Sequence, residues 1–181
     1  MGFVDLKKLE EKYATGFMKD NVENLIDFEA YHCLLKGGMS AVLKMQNSLG
    51  TVPKQYLDWV RLCDGGLLFD TVLLSTQARD TTLDLEFDTY DEMNSDEAKA
   101  HFGLPEGFVI FAFWNYEELF CFNVKENDGK VYLWDVQTGE FGEIWDSFED
   151  WITEEIDHGV RMIADDVLEP LGIKVGGDDD E

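Results

Sequence analysis

The chain has 181 residues, 45% of them hydrophobic, with thirteen Phe, six Tyr and five Trp: enough for one domain with a sizeable core, and too aromatic for a disordered protein. Fourteen Lys and Arg against 39 Asp and Glu give a net charge of −25. That field repels phosphate backbones and anionic headgroups, which excludes nucleic acid and membrane as natural partners and favours a basic protein, although strong charge also serves solubility alone.

No apolar run approaches the roughly 18–20 residues that cross a bilayer. The opening MGFVDLKKLEEKY lacks the basic region and apolar core of a secretory signal, and Leu6 breaks a myristoylation motif at Gly2. Cys33, Cys63 and Cys121 are odd in number, widely spaced and set in apolar sequence, so buried reduced thiols in a cytoplasmic protein are expected.

Leu6, Leu9 and Tyr13 recur at helical spacing. Val22, Leu25, Ile26, Ala30 and Cys33 mark one face of a second helix that Gly37-Gly38 would stop. Ser40 is placed to cap a third, with Val42, Met45 and Leu49 inward and Gly50 at its end. A fourth opens at Pro53, whose missing N–H would lack a partner in a first turn anyway. Tyr56, Val60 and Cys63 then follow at i, i+4 and i+7, facing a core. Gly65 or Gly66 is expected to end that helix in a left-handed conformation, and LLFDTVLLS reads as the first strand.

Between 80 and 100 the pattern gives way to acidic, weakly helical sequence. The continuously apolar FVIFAFW at 108–114 predicts a central strand covered on both faces. LFCFNV (119–124) and KVYLW (130–134) follow across the short turns NYEE and ENDG, which implies antiparallel hairpins. Gln137-Thr138-Gly139 gives a further turn before Phe141. Ser147 begins a capping box with Asp150, and Phe148, Trp151, Ile152 and Ile156 form the buried face of the helix it starts. Gly159 is placed to end that helix, with a shorter one around 160–169. The predicted fold is α+β: a single domain over 1–175, a meandering antiparallel sheet flanked by N- and C-terminal helices, and a disordered acidic tail at 176–181.

Chemistry is hard to place on this pattern. A phosphate cradle needs strand, glycine turn, helix; around Gly65-Gly66 the order is reversed, and Asp64 adds negative charge. His32, His101 and His158 are scattered, and no Cys-x-x-Cys pair is present, so no metal site is expected. The run Asn123–Gly129 is a hairpin rather than a calcium loop, because Lys125 stands where an oxygen ligand is needed. Serines lack a nucleophile-elbow frame, and with 39 acids a carboxylate pair carries no information. Phe111, Phe113, Phe120, Phe122, Tyr132 and Trp134 suit core packing, since a base-stacking surface would need a basic groove. Neither catalysis nor a cofactor is predicted.

Taken in order, Leu49-Gly50, Val52-Pro53, Tyr56, Trp59-Val60 and Asp64-Gly65-Gly66 resemble the SUKH superfamily of bacterial toxin-immunity proteins and fungal regulators of cell-wall glucan synthesis. Leu104-Pro105 before the 108–114 strand, Gly129 to Asp135 around Trp134, and Ser147-Phe148-Glu149-Asp150-Trp151-Ile152 extend the likeness over about residues 40–158. Asp64 stands where Asn is common in that family, and Met45-Gln46 replace an acid. The resemblance implies an α+β fold without enzymatic activity, in which Pro53, Trp59, Gly65, Gly66, Trp134, Phe148 and Trp151 are structural. It further implies an immunity protein that binds and neutralises a toxin domain, with basic-clefted nucleases the class that best complements the charge. The alternative is a regulatory scaffold of the fungal type with no toxin partner. Asp84, Glu86, Asp88, Asp91 and Glu92, in the segment least explained by core packing, are the candidate partner contacts.

Overall fold

A computed structural model describes residues 32–76 and 89–163. Seven antiparallel strands lie side by side in chain order: β1 (His32–Lys36), β2 (Cys63–Leu68), β3 (Thr71–Leu73), β4 (Phe108–Trp114), β5 (Glu118–Asn123), β6 (Val131–Asp135) and β7 (Glu140–Trp145). Helices α1 (Met39–Leu49) and α2 (Lys54–Leu62) separate β1 from β2, the short α3 (Tyr90–Met93) and α4 (Asp96–His101) separate β3 from β4, and α5 (Phe148–Ile163) follows β7. This is the expected α+β meander. The two helices expected before residue 30, the helix around 160–169 beyond Ile163, and the tail lie outside the described residues.

The hairpins form where the turn sequences put them. Phe113 pairs with Leu119, Cys121 with Tyr132, and Tyr132 with Ile144. β4 is buried from Phe108 to Phe113, as its unbroken apolar run requires. Toward α2 and α5, Phe111 stacks on Phe122 (4.2 Å between centroids) and meets Trp151 edge-on at 4.9 Å. Tyr56 lies 5.0–5.1 Å from Phe111, Phe122 and Phe148. On the opposite face Phe108 packs on Tyr132 and Phe141, and Trp134 Nε1 donates to the Phe102 carbonyl at 2.9 Å. The aromatic stripe is core.

β3 is too short to pair with all of β4. Asn94 completes the ladder: its amide donates to the Ile110 carbonyl at 2.8 Å and its Oδ1 accepts the Ile110 N–H at 2.7 Å. No sequence signal marked this side chain, because its role exists only once β4 is beside it.

Several expected boundaries move. Residues 32–36 form a strand, not the end of a helix: Leu34 and Leu35 are both buried although adjacent, one on each face, which a pleated strand allows. Gly37-Gly38 do end this element, but their amides also donate to Leu62 (2.9 Å) and Val60 (3.4 Å), satisfying carbonyls at the end of α2. A Cβ on Gly37 would lie 1.9 Å from the Val60 oxygen. Gly38, not Ser40, occupies the N-cap of α1, while Val42, Met45 and Leu49 are inward and Gly50 follows as expected.

The glycine pair does not stop α2. The helix ends at Leu62, and Gly65 and Gly66 lie inside β2. LLFDTVLLS is accordingly two strands joined by Phe69-Asp70, not one. Gly65 has φ 76, and a Cβ there would meet the Leu73 and Leu74 carbonyl oxygens at 2.7 and 2.5 Å. Asp64 is buried and accepts from the Thr76 N–H (2.9 Å) and hydroxyl (2.8 Å), fixing the chain just past β3. The Asp-Gly-Gly element is a packing device, with no anion-binding geometry.

α5 starts as predicted: the Ser147 hydroxyl accepts the Asp150 N–H at 3.1 Å and donates to its carboxylate at 2.7 Å. It continues through Gly159, however, and the glycine there answers a tertiary contact rather than a helix end. The Phe69 ring packs so close that a Cβ would lie 2.1 Å from it. Cys63 and Cys121 are buried free thiols, and burial pushes both well above the ordinary thiol range.

Candidate functional site

Of the five acids expected to face a partner, Asp84, Glu86 and Asp88 lie outside the described residues. Asp91 and Glu92 are exposed in the first turn of α3. Glu92 has local work: its carboxylate accepts from the Thr89 N–H (3.1 Å) and hydroxyl (2.8 Å), while Thr89 Oγ1 accepts the Glu92 N–H at 3.2 Å. This is a capping box, and it leaves Asp91 as the freer of the two. Ser75 and Thr89 form a bridge, so the chain leaves and returns at one point of the sheet.

A larger acidic feature lies elsewhere. Between α5 and the sheet opens a groove of about 860 Å³, walled by residues of β5, β6, β7 and the β2–β3 turn. Asp70, Glu118, Glu143, Glu149, Asp150, Glu154, Glu155 and Asp157 line it, and among the described residues the basic ones in its wall are His158 and Arg161. Phe120, Trp114, Trp145 and Trp151 supply apolar wall. Sequence reasoning missed this site because its acids come from both ends of the fold. The signal present in the sequence was the density of acids along α5, with Glu149, Asp150, Glu154, Glu155 and Asp157 interleaved among its apolar positions.

Two bonds brace the groove. Trp145 Nε1 donates to Glu154 at 2.7 Å, joining β7 to α5. The Thr71 hydroxyl donates to Glu155, joining β3 to the same helix. Burial holds the Glu155 carboxyl above its usual range, Glu154 and Asp70 push it further, and the Thr71 bond and His158 oppose them. Burial, Asp135 and Glu117 likewise raise Glu118. Crowded carboxylates in a partly desolvated cleft favour any cation that enters.

The Glu155 shift has a consequence for stability. The folded chain binds this proton more tightly than the unfolded chain, so stability falls as pH rises from the ordinary value of 4.5 through the raised folded value. Glu155→Gln retains an acceptor for Thr71 and removes the charge. It is expected to raise the melting temperature at neutral pH, with the gain vanishing below pH 4.5. Calorimetry across that range reads the difference, and a variant less stable at neutral pH would refute the assignment.

Among the described residues no group of three or more His, Cys, Asp or Glu is placed to hold a metal ion. His101 is exposed in the last turn of α4, and His158 is exposed within α5. No described helix is long and apolar enough to cross a membrane.

A comparison with curated proteins gives no match. The model of the SMI1 / KNR4 family (SUKH-1) matches residues 40–154, which include α1 from its second residue, the Asp-Gly-Gly strand, the hairpins of β4 to β7 and the capped start of α5. With that match over more than half its length and the meander in place, the chain belongs to the SMI1 / KNR4 family (SUKH-1).

Proposed function

We propose that the protein is a cytoplasmic immunity protein that binds a toxin domain with a basic surface and blocks it. Family membership supports a protein-binding module of the toxin-immunity or regulator kind. The observation that favours immunity is the concentration of charge: eight carboxylates line one groove of a chain already at −25. An acidic face of this kind occupies a basic cleft, such as that of a nuclease, in place of the natural polyanion. The buried free thiols Cys63 and Cys121 suit a reducing compartment. The protein makes and breaks no bonds in this role, and Asp84, Glu86, Asp88, Asp91 and Glu92 are further candidate contacts for the same partner.

The test is capture on the immobilised chain across roughly 50–500 mM salt, followed by assay of the captured protein's activity in the complex. Capture should weaken steeply with salt, and the captured activity should be blocked at equimolar ratio. The regulatory-scaffold reading draws support from Met39 and Leu43, 56% and 58% exposed one turn apart on α1. It predicts salt-insensitive capture of a partner that stays active, and that result would displace the immunity reading.

A further inference from the structure

The sheet ends at β7, whose one strand neighbour among the described residues is β6. In an antiparallel strand alternate residues turn both N–H and C=O away from the neighbour, so β7 carries a row of main-chain donors and acceptors along its outer side. Glu140 to Ile144 are all exposed and Trp145 is half-buried, so among the described residues nothing covers that row. At the other end of the sheet, by contrast, Leu34 and Leu35 of β1 are both buried.

The side chains of β7 narrow what fits there. Tyr132 pairs with Ile144 and Trp134 with Phe141, which leaves Gly142 and Glu143 together opposite Leu133. This bulge brings Phe141 and Ile144 to one face of the sheet, where Phe141 packs on Tyr132 and Trp134. Even so, Phe141 is 36% and Ile144 49% exposed. A bulge and charges blunt an edge against indiscriminate pairing, but two apolar side chains left in water beside an open ladder work against that end. On the other face Glu143 belongs to the groove wall, and alternation puts Glu140, next to Phe141, on that side too. An incoming strand therefore meets apolar surface on one face and carboxylates on the other. A second copy of this chain fails the match, because β7 against β7 sets Glu140 and Glu143 against like charges in molecules each at −25.

We infer that β7 receives an eighth strand from the toxin domain: an extended segment in which basic and apolar residues alternate, its main chain bonded to the outer edge of β7. Its apolar side chains lie beside Phe141 and Ile144, and its basic ones beside Glu140 and Glu143. The inference rests on the toxin-binding reading above and specifies where and by what chemistry the partner is held. Main-chain pairing supplies the register, and the two acids select a basic strand over an acidic one.

The probe is a blocked hexapeptide alternating Lys and Val, titrated into the ¹⁵N-labelled full chain beside its isomer with all Lys preceding all Val. The alternating peptide should shift the amide resonances of β7 and slow their exchange with solvent, and should bind roughly fivefold tighter than the isomer. N-methylation at its Lys positions or at its Val positions, but only one of the two, should weaken binding by about tenfold or more, because an added strand pairs through one edge. Glu140→Lys with Glu143→Lys, both at exposed positions, should weaken it by about tenfold, and Glu140→Gln with Glu143→Gln by less. The neutral pair keeps the test valid should the reversed pair misfold. Unchanged exchange along β7, equal affinity for the two isomers, or N-methylation harmless at both sets of positions overturns the inference. Capture of a partner that weakens with salt yet is untouched by both double variants also overturns it, while leaving the toxin-binding reading intact. Salt-indifferent capture of a partner that stays active overturns that reading and the inference together.

Discussion

Phe111→Ala is expected to lower the free energy of unfolding by about 3–5 kcal/mol, a large part of the total for a domain of this size. Phe111 is fully buried and touches four aromatic residues: Tyr56 from α2, Phe122 from β5, and Phe148 and Trp151 from α5. Truncation removes the ring's transfer free energy and leaves a cavity whose walls belong to three separate elements. Those walls cannot collapse together without moving α5 off the sheet. Urea unfolding followed by tryptophan fluorescence measures the loss. A cost below about 1.5 kcal/mol would mean that the cluster repacks, and that the sheet and α5 are not held by a shared aromatic core. The same variant should loosen the groove, whose helical wall hangs on that cluster.

Gly65→Ala should cost about 2–4 kcal/mol, from two separable causes. Its φ of 76 is unfavourable for any residue with a Cβ, and that Cβ would sit 2.5 Å from the Leu74 carbonyl oxygen, a backbone atom with little freedom to retreat. Gly139→Ala isolates the first cause. Gly139 has φ 66 and open space around the new methyl, so it should lose only about 1 kcal/mol. The difference between the two variants reads the close approach of β2 to the chain leaving β3. Equal losses would show that the Asp-Gly-Gly element needs glycine for its dihedral angles alone.

The candidate site was far less legible than the fold. The acids singled out along 84–92 share a sequence segment, and the one whose contacts are clearest, Glu92, caps its own short helix. The groove's acids stand at 70, 118, 143 and 149–157, separations over which no periodicity operates. Trp151 is expected to be core from its spacing and is core, packed against Phe111 of β4 and Phe120 of β5.

What the sequence by itself determined is everything decided within a few residues along the chain. The turns NYEE and ENDG set the hairpins, the unbroken apolar run of 108–114 set a central strand, and Ser147 with Asp150 set the start of α5. These elements rest on local dihedral preference, capping and alternation, which act between near neighbours and leave their mark in spacing. The tertiary structure decided the rest. Cys33 pairs with Leu67 of β2, position 65 needs glycine because the Leu73 and Leu74 carbonyls lie against it, and position 159 inside α5 needs glycine because the Phe69 ring occupies the space a side chain would take. Each of these is a long-range contact that spacing along the chain does not encode, and the acidic groove likewise gathers residues far apart in sequence.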